Sequence, residues 1–594
     1  MARMQFDLIG LWRLQPDTSN KGLLFGYEKP DCDDSAWLPA YVPCAAEQCG
    51  QDMQHAYLTS VWYRRRFDVP ASWAGKRVVI RFEGVFDHCD VYLNGTKIGS
   101  HPDGYLRFEL PTGKALRVGQ PNVLALRVDA ERQRADLPGF ERGWRTYCGI
   151  LREVYAIATD PLHIADAYVR AEPTGDGGQL TAYAQVANER GKSTSVILTA
   201  SVRDADGKRI ASWTSKPIKL AAGEQQDIEL GGQVADVQAW SPDAPALYHV
   251  DLELSSDGTP ADATSVRFGF RKIEARGTQI LLNGKPIFLT GFNRHEDSPR
   301  TRMEPDMECV RQDIVAMKQT GANFVRLCHY PHHPGEMDLC DEIGMLVMCE
   351  IPLYWWRGYE FGEDIFKAKR ANAKRQLASM IRRDRNHPSV IFWSVSNETH
   401  EHRPEVAEGN ALLIRLAQEM DPTRFATHVC SVWYKDFNFE PDDVICLNSY
   451  PSNHLDRWQN LPSDDNVMNT QPRLAKPDLT TSQQFWKEKL AALHERFPNK
   501  PIVITEYGHE GLKGVTGGHY GEDTQAAIIE AESAALTAPY VRGMTIWCWA
   551  DHLWHESDRH DLSVSPYGVL TRDRKPKLSH AVVKKIFTER QRQA

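Results

Sequence analysis

The spacing of hydrophobic positions changes near residue 276. Before it, short stretches alternate apolar and polar on a period of two, as in Val123-Leu124-Ala125-Leu126-Arg127-Val128 and Tyr248-His249-Val250-Asp251-Leu252-Glu253-Leu254. That is the pattern of strands with one buried face. Val61-Trp62-Tyr63-Arg64-Arg65-Arg66-Phe67 and Arg77-Val78-Val79-Ile80-Arg81-Phe82 read the same way, and Asp90-Val91-Tyr92-Leu93 runs into Asn94-Gly95, a pair suited to the positive φ angles of a tight hairpin. Residues 1–160 are therefore predicted to form a β-sandwich. Residues 161–275 repeat the style, with Asp206-Gly207 as a further turn, and at this length fit an immunoglobulin-like sandwich.

From 276 onward short apolar strands alternate with helical stretches. Strands are predicted at 287–292, 322–327, 346–350, 390–394, 425–429, 444–448, 502–506 and 543–549, and helices at 306–320, 334–343, 367–385, 405–420, 482–496 and 521–537. Eight strands with intervening helices predict a (β/α)8 barrel over 276–594. A doubly wound open sheet is the rival, but no Gly-x-Gly-x-x-Gly or Walker sequence follows any of these strands.

Composition narrows the partners. Lys+Arg is 70 against Asp+Glu 79, a net charge of −9, and without a basic tract nucleic acid is not expected. No run of ~18 apolar residues offers a membrane span. The N-terminal Met-Ala-Arg-Met-Gln-Phe-Asp carries no secretory signature, so the expectation is a chain that is either cytoplasmic or already processed, with cytoplasmic preferred. The twelve cysteines include no Cys-x-x-Cys pair. Cys328, Cys349, Cys446 and Cys548 sit in apolar runs and read as reduced, buried thiols.

In a barrel, reactive groups belong at the C-terminal ends of strands, and two carboxylates fall there. The strand Val390-Ile391-Phe392-Trp393-Ser394-Val395 leads into Ser396-Asn397-Glu398, and Pro501-Ile502-Val503-Ile504-Thr505 leads into Glu506-Tyr507-Gly508. A pair of rim carboxyls is what glycoside hydrolysis needs, one protonated toward the leaving oxygen and one ionised toward the anomeric carbon or a water. Asn397 is placed to donate to a sugar 2-hydroxyl, and Tyr507 is expected to donate to Glu506 and keep it ionised. The alternative is that each Glu caps a helix or joins a surface ion pair. Sixteen Trp residues, among them Trp355, Trp356, Trp433, Trp547, Trp549 and Trp554 near predicted strand ends, suit stacking on a sugar ring, although some must be core.

Metal motifs are incomplete. His400-Glu401-His402, His295-Glu296 and His509-Glu510 all lack the second His of a His-Glu-x-x-His helix, and His329, His332 and His333 sit in a Pro-containing loop. No Gly-x-Ser-x-Gly elbow occurs. Neither metal nor cofactor is expected.

At these residues the whole chain resembles glycoside hydrolase family 2, the β-galactosidase and β-glucuronidase group. The resemblance runs through Trp62-Tyr63-Arg64-Arg65, Val91-Tyr92-Leu93-Asn94-Gly95, Trp240-Ser241-Pro242-Asp243, Gly269-Phe270-Arg271, Gly291-Phe292-Asn293-Arg294-His295-Glu296-Asp297, Asn323-Phe324-Val325-Arg326, His329-Tyr330-Pro331, Asn397-Glu398 and Thr505-Glu506-Tyr507-Gly508. It implies a jelly-roll sugar-binding sandwich, an immunoglobulin-like sandwich and a catalytic TIM barrel. It makes Glu398 the general acid/base and Glu506 the nucleophile of a retaining enzyme. The pocket for the cleaved sugar maps onto Asp297, Arg326, His329, Asn397, Asn448, Tyr450 and Trp547, with Trp355, Tyr507 and Tyr567 as further contacts. Asp297 is the natural acceptor for sugar hydroxyls, and Arg326 the residue that orients Glu506. Family members are often dimers or tetramers.

Two departures bear on the substrate and metal. β-Glucuronidases place an Asn-x-Lys pair before the tail that appears here as Gly568-Val569-Leu570-Thr571-Arg572-Asp573-Arg574-Lys575-Pro576-Lys577, but this chain has Ser565-Pro566-Tyr567 there. The Glu-x-His by which large β-galactosidases hold Mg²⁺ is absent from Glu350-Ile351-Pro352-Leu353-Tyr354-Trp355-Trp356-Arg357. The expectation is an exo-acting retaining β-glycosidase for a neutral sugar, galactose first. A β-uronide is the alternative, its carboxylate read by Arg357 or Arg559. A non-catalytic carbohydrate-binding protein is the alternative of another class, and a transglycosylase shares the same intermediate. The segment 551–560 is expected to roof the pocket or to pack against a neighbouring subunit.

Overall fold

The computed structural model describes residues 3–50, 60–129, 131–140, 142–356, 362–431, 438–452, 479–554 and 563–593. In the first sandwich, one sheet pairs Leu38–Val42, Gly10–Pro16, Ser60–Asp68, Pro121–Asp129, His88–Leu93 and Thr96–His101 in that order, all antiparallel. The facing sheet pairs Met4–Asp7, Val154–Thr159, Arg77–Phe82 and Phe108–Pro111. Alternate side chains from both sheets, among them Trp12, Ile80, Phe82, Val91 and Leu126, make one core. The hairpin between His88–Leu93 and Thr96–His101 turns at Asn94 (φ 52°) and Gly95 (φ 84°), the left-handed pair that the Asn-Gly sequence predicts.

The second sandwich packs Leu162–Thr174, Gly177–Asn188 and Gln225–Ala235 against Arg209–Thr214, Thr194–Arg203, Tyr248–Ser256 and Thr259–Phe268. A small antiparallel sheet, Ile273–Arg276, Gln279–Leu282 and Lys285–Ile287, follows. Its Ile280 and Leu282 join Leu289, Phe324, Leu346, Phe392, Cys446 and Val503 in one buried cluster, so it plugs the N-terminal end of the barrel.

The barrel is closed by eight parallel strands: β1 Leu289–Arg294, β2 Phe324–Leu327, β3 Leu346–Glu350, β4 Val390–Asn397, β5 Phe425–Cys430, β6 Ile445–Asn448, β7 Ile502–Tyr507 and β8 Val541–Ile546. β1 pairs β8 from Leu289 opposite Gly543 to Phe292 opposite Ile546. The open-sheet alternative is thereby excluded. Strand boundaries shift by up to three residues from the sequence expectation, and two of the shifts change the picture. Ile287 belongs to the plug sheet, and β8 ends at Ile546, before the aromatic run. The last helix, Leu578–Gln593, went unpredicted because so little of it is buried: Ser579, Val583 and Phe587 face the barrel, and the rest is mixed and charged. Among the described residues, no helix is long and apolar enough to cross a membrane.

The first sandwich is tied to the barrel rim by buried charge. Arg152 donates to Tyr105 O (2.5 Å), Pro331 O (2.8 Å) and Glu296 Oε2 (3.0 Å). Burial opposes ionisation of Glu296, but Arg152 and neighbouring donors outweigh it and hold the carboxyl at about 2. Removing the guanidinium strands a buried carboxylate, a loss that costs about 3–5 kcal/mol. Arg152→Met is therefore expected to lower the thermal midpoint by several degrees at neutral pH, as read by calorimetry. An unchanged midpoint would mean that the sandwich is not anchored through this pair.

Candidate active site

Every barrel strand except β5 delivers a polar or aromatic group to one rim. From β1 to β8 these are Asn293, Arg326, Glu350, Asn397 with Glu398, Asn448 with Tyr450, Glu506, and Trp547. At their centre lies Arg326, fully buried. Its Nη1 donates to Glu506 Oε1 (2.6 Å) and Asn293 Oδ1 (3.0 Å). Its Nη2 donates to Glu350 Oε2 (2.7 Å) and Asn397 Oδ1 (2.7 Å), and its Nε to Glu350 Oε2 (3.1 Å). Ser394 Oγ adds a bond to Glu350 Oε2 (2.7 Å). Burial pushes the Glu350 carboxyl upward, but Arg326 outweighs it and holds Glu350 below its ordinary value.

Glu506 and Glu398 receive different donors. Glu506 accepts from Arg326 and, on Oε2, from the Tyr450 hydroxyl (2.6 Å). Glu398 accepts from Asn448 Nδ2 on Oε1 (2.8 Å) and from Trp355 Nε1 on Oε2 (2.8 Å). One carboxyl thus faces a cation and a phenol, the other two neutral N–H groups. Glu398 has φ 50° and Trp355 φ 44°, left-handed positions that cost non-glycine residues about 1–3 kcal/mol and cluster at working sites. Glu398 is held there by its N–H bond to Val429 O (2.8 Å). Gly508 (φ 151°) follows Tyr507, and a Cβ there would come within 2.6 Å of Trp547 O, which explains a glycine in the Glu506-Tyr507-Gly508 turn.

Burial raises the Glu506 carboxyl to about 8; Arg326 and Tyr450 pull it down, and Glu398 adds to the rise. Desolvation lowers His329 to about 4, so its imidazole is neutral. Its Nδ1 sits 2.8 Å from Glu350 Oε1, which makes Nδ1 the donor and leaves Nε2, 3.9 Å from Glu506 Oε1, as an acceptor. Trp547 stacks on His329 at 5.2 Å. Asn397 commits its Oδ1 to Arg326 and Asn448, which leaves its Nδ2 as the end available to a ligand hydroxyl. Tyr567 meets Tyr450 edge to face at 5.8 Å.

Two expectations are corrected. Tyr507 does not reach Glu506: its hydroxyl pairs with Ser533 Oγ (2.8 Å) on the helix side of β7, because successive side chains of a strand point to opposite faces. Tyr450 is the donor instead. Asp297 is not an open acceptor for sugar hydroxyls. Arg572 takes both its oxygens (2.9 and 2.6 Å), and Leu553 N takes Oδ2 as well (2.7 Å). Asp297 therefore ties the rim to the C-terminal tail. Trp549 and Trp393 are core residues bonded to Asp313 and Asp421. Arg357, Trp433, Arg559 and most of the 551–560 segment lie outside the described residues.

Sequence reasoning missed Asn293, which accepts from Arg326, and two further contributors. Glu350 is the second carboxylate on Arg326, and its place at the end of β3 was the available signal. Trp144 comes from the first sandwich. It packs against Tyr330 (5.2 Å), Tyr354 (5.1 Å), His295 and His329 (5.7 Å each) and donates through Nε1 to Tyr105 (3.0 Å). Nothing local in its sequence points to the barrel.

A closed barrel with two carboxyls on its C-terminal rim, one paired with a buried guanidinium, defines a glycoside hydrolase of the TIM-barrel class. The model of the glycosyl hydrolases family 2 TIM barrel domain matches residues 273–591, that of glycosyl hydrolases family 2 residues 162–271, and that of the family's sugar binding domain residues 47–161. The chain belongs to glycoside hydrolase family 2 and is an O-glycosyl hydrolase. It is 26% identical to a beta-glucuronidase of Paenibacillus borealis over 98% of this chain and 96% of that protein. It is 27% identical to the beta-glucuronidase of Sus scrofa over 97% and 89%. In fold it matches the Ruminococcus gnavus beta-glucuronidase in complex with D-glucuronic acid, with a TM-score of 0.86, 24% identity and 98% of both chains covered.

Two outcomes follow from this geometry. A carboxyl raised from 4.5 to about 8 by burial favours folding below its unfolded value, and that stability is lost as pH rises toward 8. Glu506→Gln has no such loss, so its thermal midpoint is expected to gain a few degrees on the parent between about pH 5 and pH 8; a flat difference would contradict the rise. Tyr450→Phe removes a hydrogen bond to a charged group, worth about 1.5–3 kcal/mol. It should move the acidic limb of kcat/KM up by about one to two pH units, whereas Tyr507→Phe should leave that limb in place.

Proposed function

We propose that the chain is an exo-acting retaining β-glycosidase that removes a non-reducing-end β-uronide by double displacement. The observation that carries the mechanism is the unequal pair of carboxyls: Glu506 faces Arg326 and Tyr450, Glu398 faces neutral donors. In the ionised form of Glu506, which Arg326 and Tyr450 favour against burial, its Oε attacks the anomeric carbon as Glu398 gives its proton to the glycosidic oxygen, and the aglycone leaves. The glycosyl ester on Glu506 consumes its charge, while Glu350 continues to balance Arg326. Water then attacks the same carbon, Glu398 takes its proton, and Glu506 returns as a carboxylate. Asn397 Nδ2 and His329 Nε2 serve the sugar hydroxyls, and Trp547 and Trp355 wall the site.

The uronide reading rests on full-length similarity to beta-glucuronidases; the expectation of a neutral sugar gains nothing from the comparisons. One observation keeps the neutral β-galactoside as a second reading. Ser565 and Tyr567 occupy the positions of the family's Asn-x-Lys pair, and the nearby tail cations are engaged: Arg572 with Asp297, Arg574 with Asp313 and Lys577 with Asp551.

A panel of 4-nitrophenyl β-D-glucuronide, β-D-galacturonide, β-D-galactoside and β-D-glucoside separates the two. A uronide is expected to lead in kcat/KM by about tenfold or more, the worth of one charge-assisted contact, and Glu506→Gln should lose several orders of magnitude. A leading galactoside would transfer the assignment to the neutral sugar. Turnover of α-glycosides, or activity surviving in Glu506→Gln, would overturn both readings.

A further inference from the structure

Three residues beyond the acid/base turn meet in a buried cluster that the hydrolytic mechanism does not use. Glu401 lies three positions after Glu398, and His428 and Cys430 lie on the neighbouring strand β5. One carboxylate oxygen, one ring nitrogen and the thiol sulfur lie within 4.8 Å of one another, and all three residues are buried. His428 and Cys430 are two apart on a strand, so they share the face opposite Val429.

Each donor is prepared differently. Glu401 Oε1 accepts from Thr399 Oγ1 (2.9 Å), which in turn accepts from Asn410 Nδ2 (3.0 Å). Its Oε2 is buried without a hydrogen-bond partner. An unpaired buried carboxylate oxygen carries a large desolvation cost. Burial accordingly raises Glu401 to about 7, against a downward pull from His428. Desolvation disfavours the His428 cation, and Asp442 overrides it. Asp442 Oδ1 sits 2.8 Å from His428 Nδ1 and also accepts from His428 N (2.8 Å) and Thr427 Oγ1 (3.1 Å). A carboxylate on one ring nitrogen fixes the imidazole and frees the other, the outer-shell arrangement of metal-binding histidines. Cys430 is buried and outside any disulfide.

We propose that Glu401, His428 and Cys430 form a binding site for a zinc-class divalent cation, with Oε2, Nε2 and Sγ as ligands and a fourth position open to water. The mixed oxygen, nitrogen and sulfur set suits a borderline-soft cation. Bonds of about 2.0–2.3 Å in a tetrahedron bring donors to about 3.3–3.8 Å of one another, so the cluster contracts slightly on binding. The Cys430 thiol releases its proton to solvent as the metal binds. The cation would fasten the turn that carries Glu398 to β5, the strand whose Val429 carbonyl already accepts from Glu398 N. Motif templates miss this site because its ligands come from the turn after β4 and from strand β5, and a His-x-Cys pair on a strand matches none of them.

The test uses the full chain, stripped with a chelator and titrated with Zn²⁺ and, separately, Co²⁺. The expected results are one zinc per chain by elemental analysis and, for cobalt, a near-ultraviolet thiolate-to-metal band with visible bands of tetrahedral intensity. Cys430→Ser should abolish the thiolate band. Asp442→Asn should weaken affinity about 10–100-fold, the usual effect of losing an outer-shell carboxylate. If Cys430→Ser does not fold, Glu401→Gln, which keeps the side-chain volume, should keep the thiolate band and lose at least tenfold in affinity. Absence of stoichiometric metal, or cobalt bands and affinity unchanged in these variants, would overturn the site.

Discussion

The active site depends on one buried guanidinium. Arg326 sits between Glu350 and Glu506, two carboxylates from strands β3 and β7. Burying any one of these charges alone would cost several kcal/mol. Together they are affordable because every face of the guanidinium meets an acceptor, with Asn293 and Asn397 completing the set. The arrangement also divides labour. Glu350 is held permanently by Arg326, Ser394 and His329. Glu506 shares Arg326 only through Oε1, so its charge can be spent in a covalent bond without leaving the guanidinium unpaired.

The fold was legible because period and length are local properties. Alternation in the first 275 residues predicts sandwiches, and the later run of strand and helix predicts the closed barrel that the chain forms. The plug sheet and the last helix were not legible. Ile280 and Leu282 look like any apolar pair until the barrel end they fill is seen, and the helix Leu578–Gln593 buries too few positions to leave a clear stripe.

The site was legible in part, for a similar reason. Strand ends bring Glu398 and Glu506 to one rim, and sequence shows both. Which tyrosine serves Glu506 depends on side-chain direction: Tyr507 is adjacent in sequence but points away, while Tyr450 comes from β6. Asp297 reads as a ligand-facing carboxylate until Arg572, 275 residues later, is found on both its oxygens. Trp144 and Arg152 cross from the first sandwich. The rim is thus built by two domains, and the N-terminal sandwich supports the walls of the site as well as carrying its own core.

The most direct test of the account is the identity of the residue that becomes covalently bonded to sugar. The enzyme would be incubated with a 2-deoxy-2-fluoro β-glycoside bearing a dinitrophenyl leaving group and the glycone it hydrolyses best, then digested and mapped by mass spectrometry. A single adduct on the peptide containing Glu506 is expected, with full loss of activity and slow recovery as the ester hydrolyses. An adduct on Glu398, or inactivation without any glycosyl ester, would contradict the division of roles that Arg326 is argued to impose.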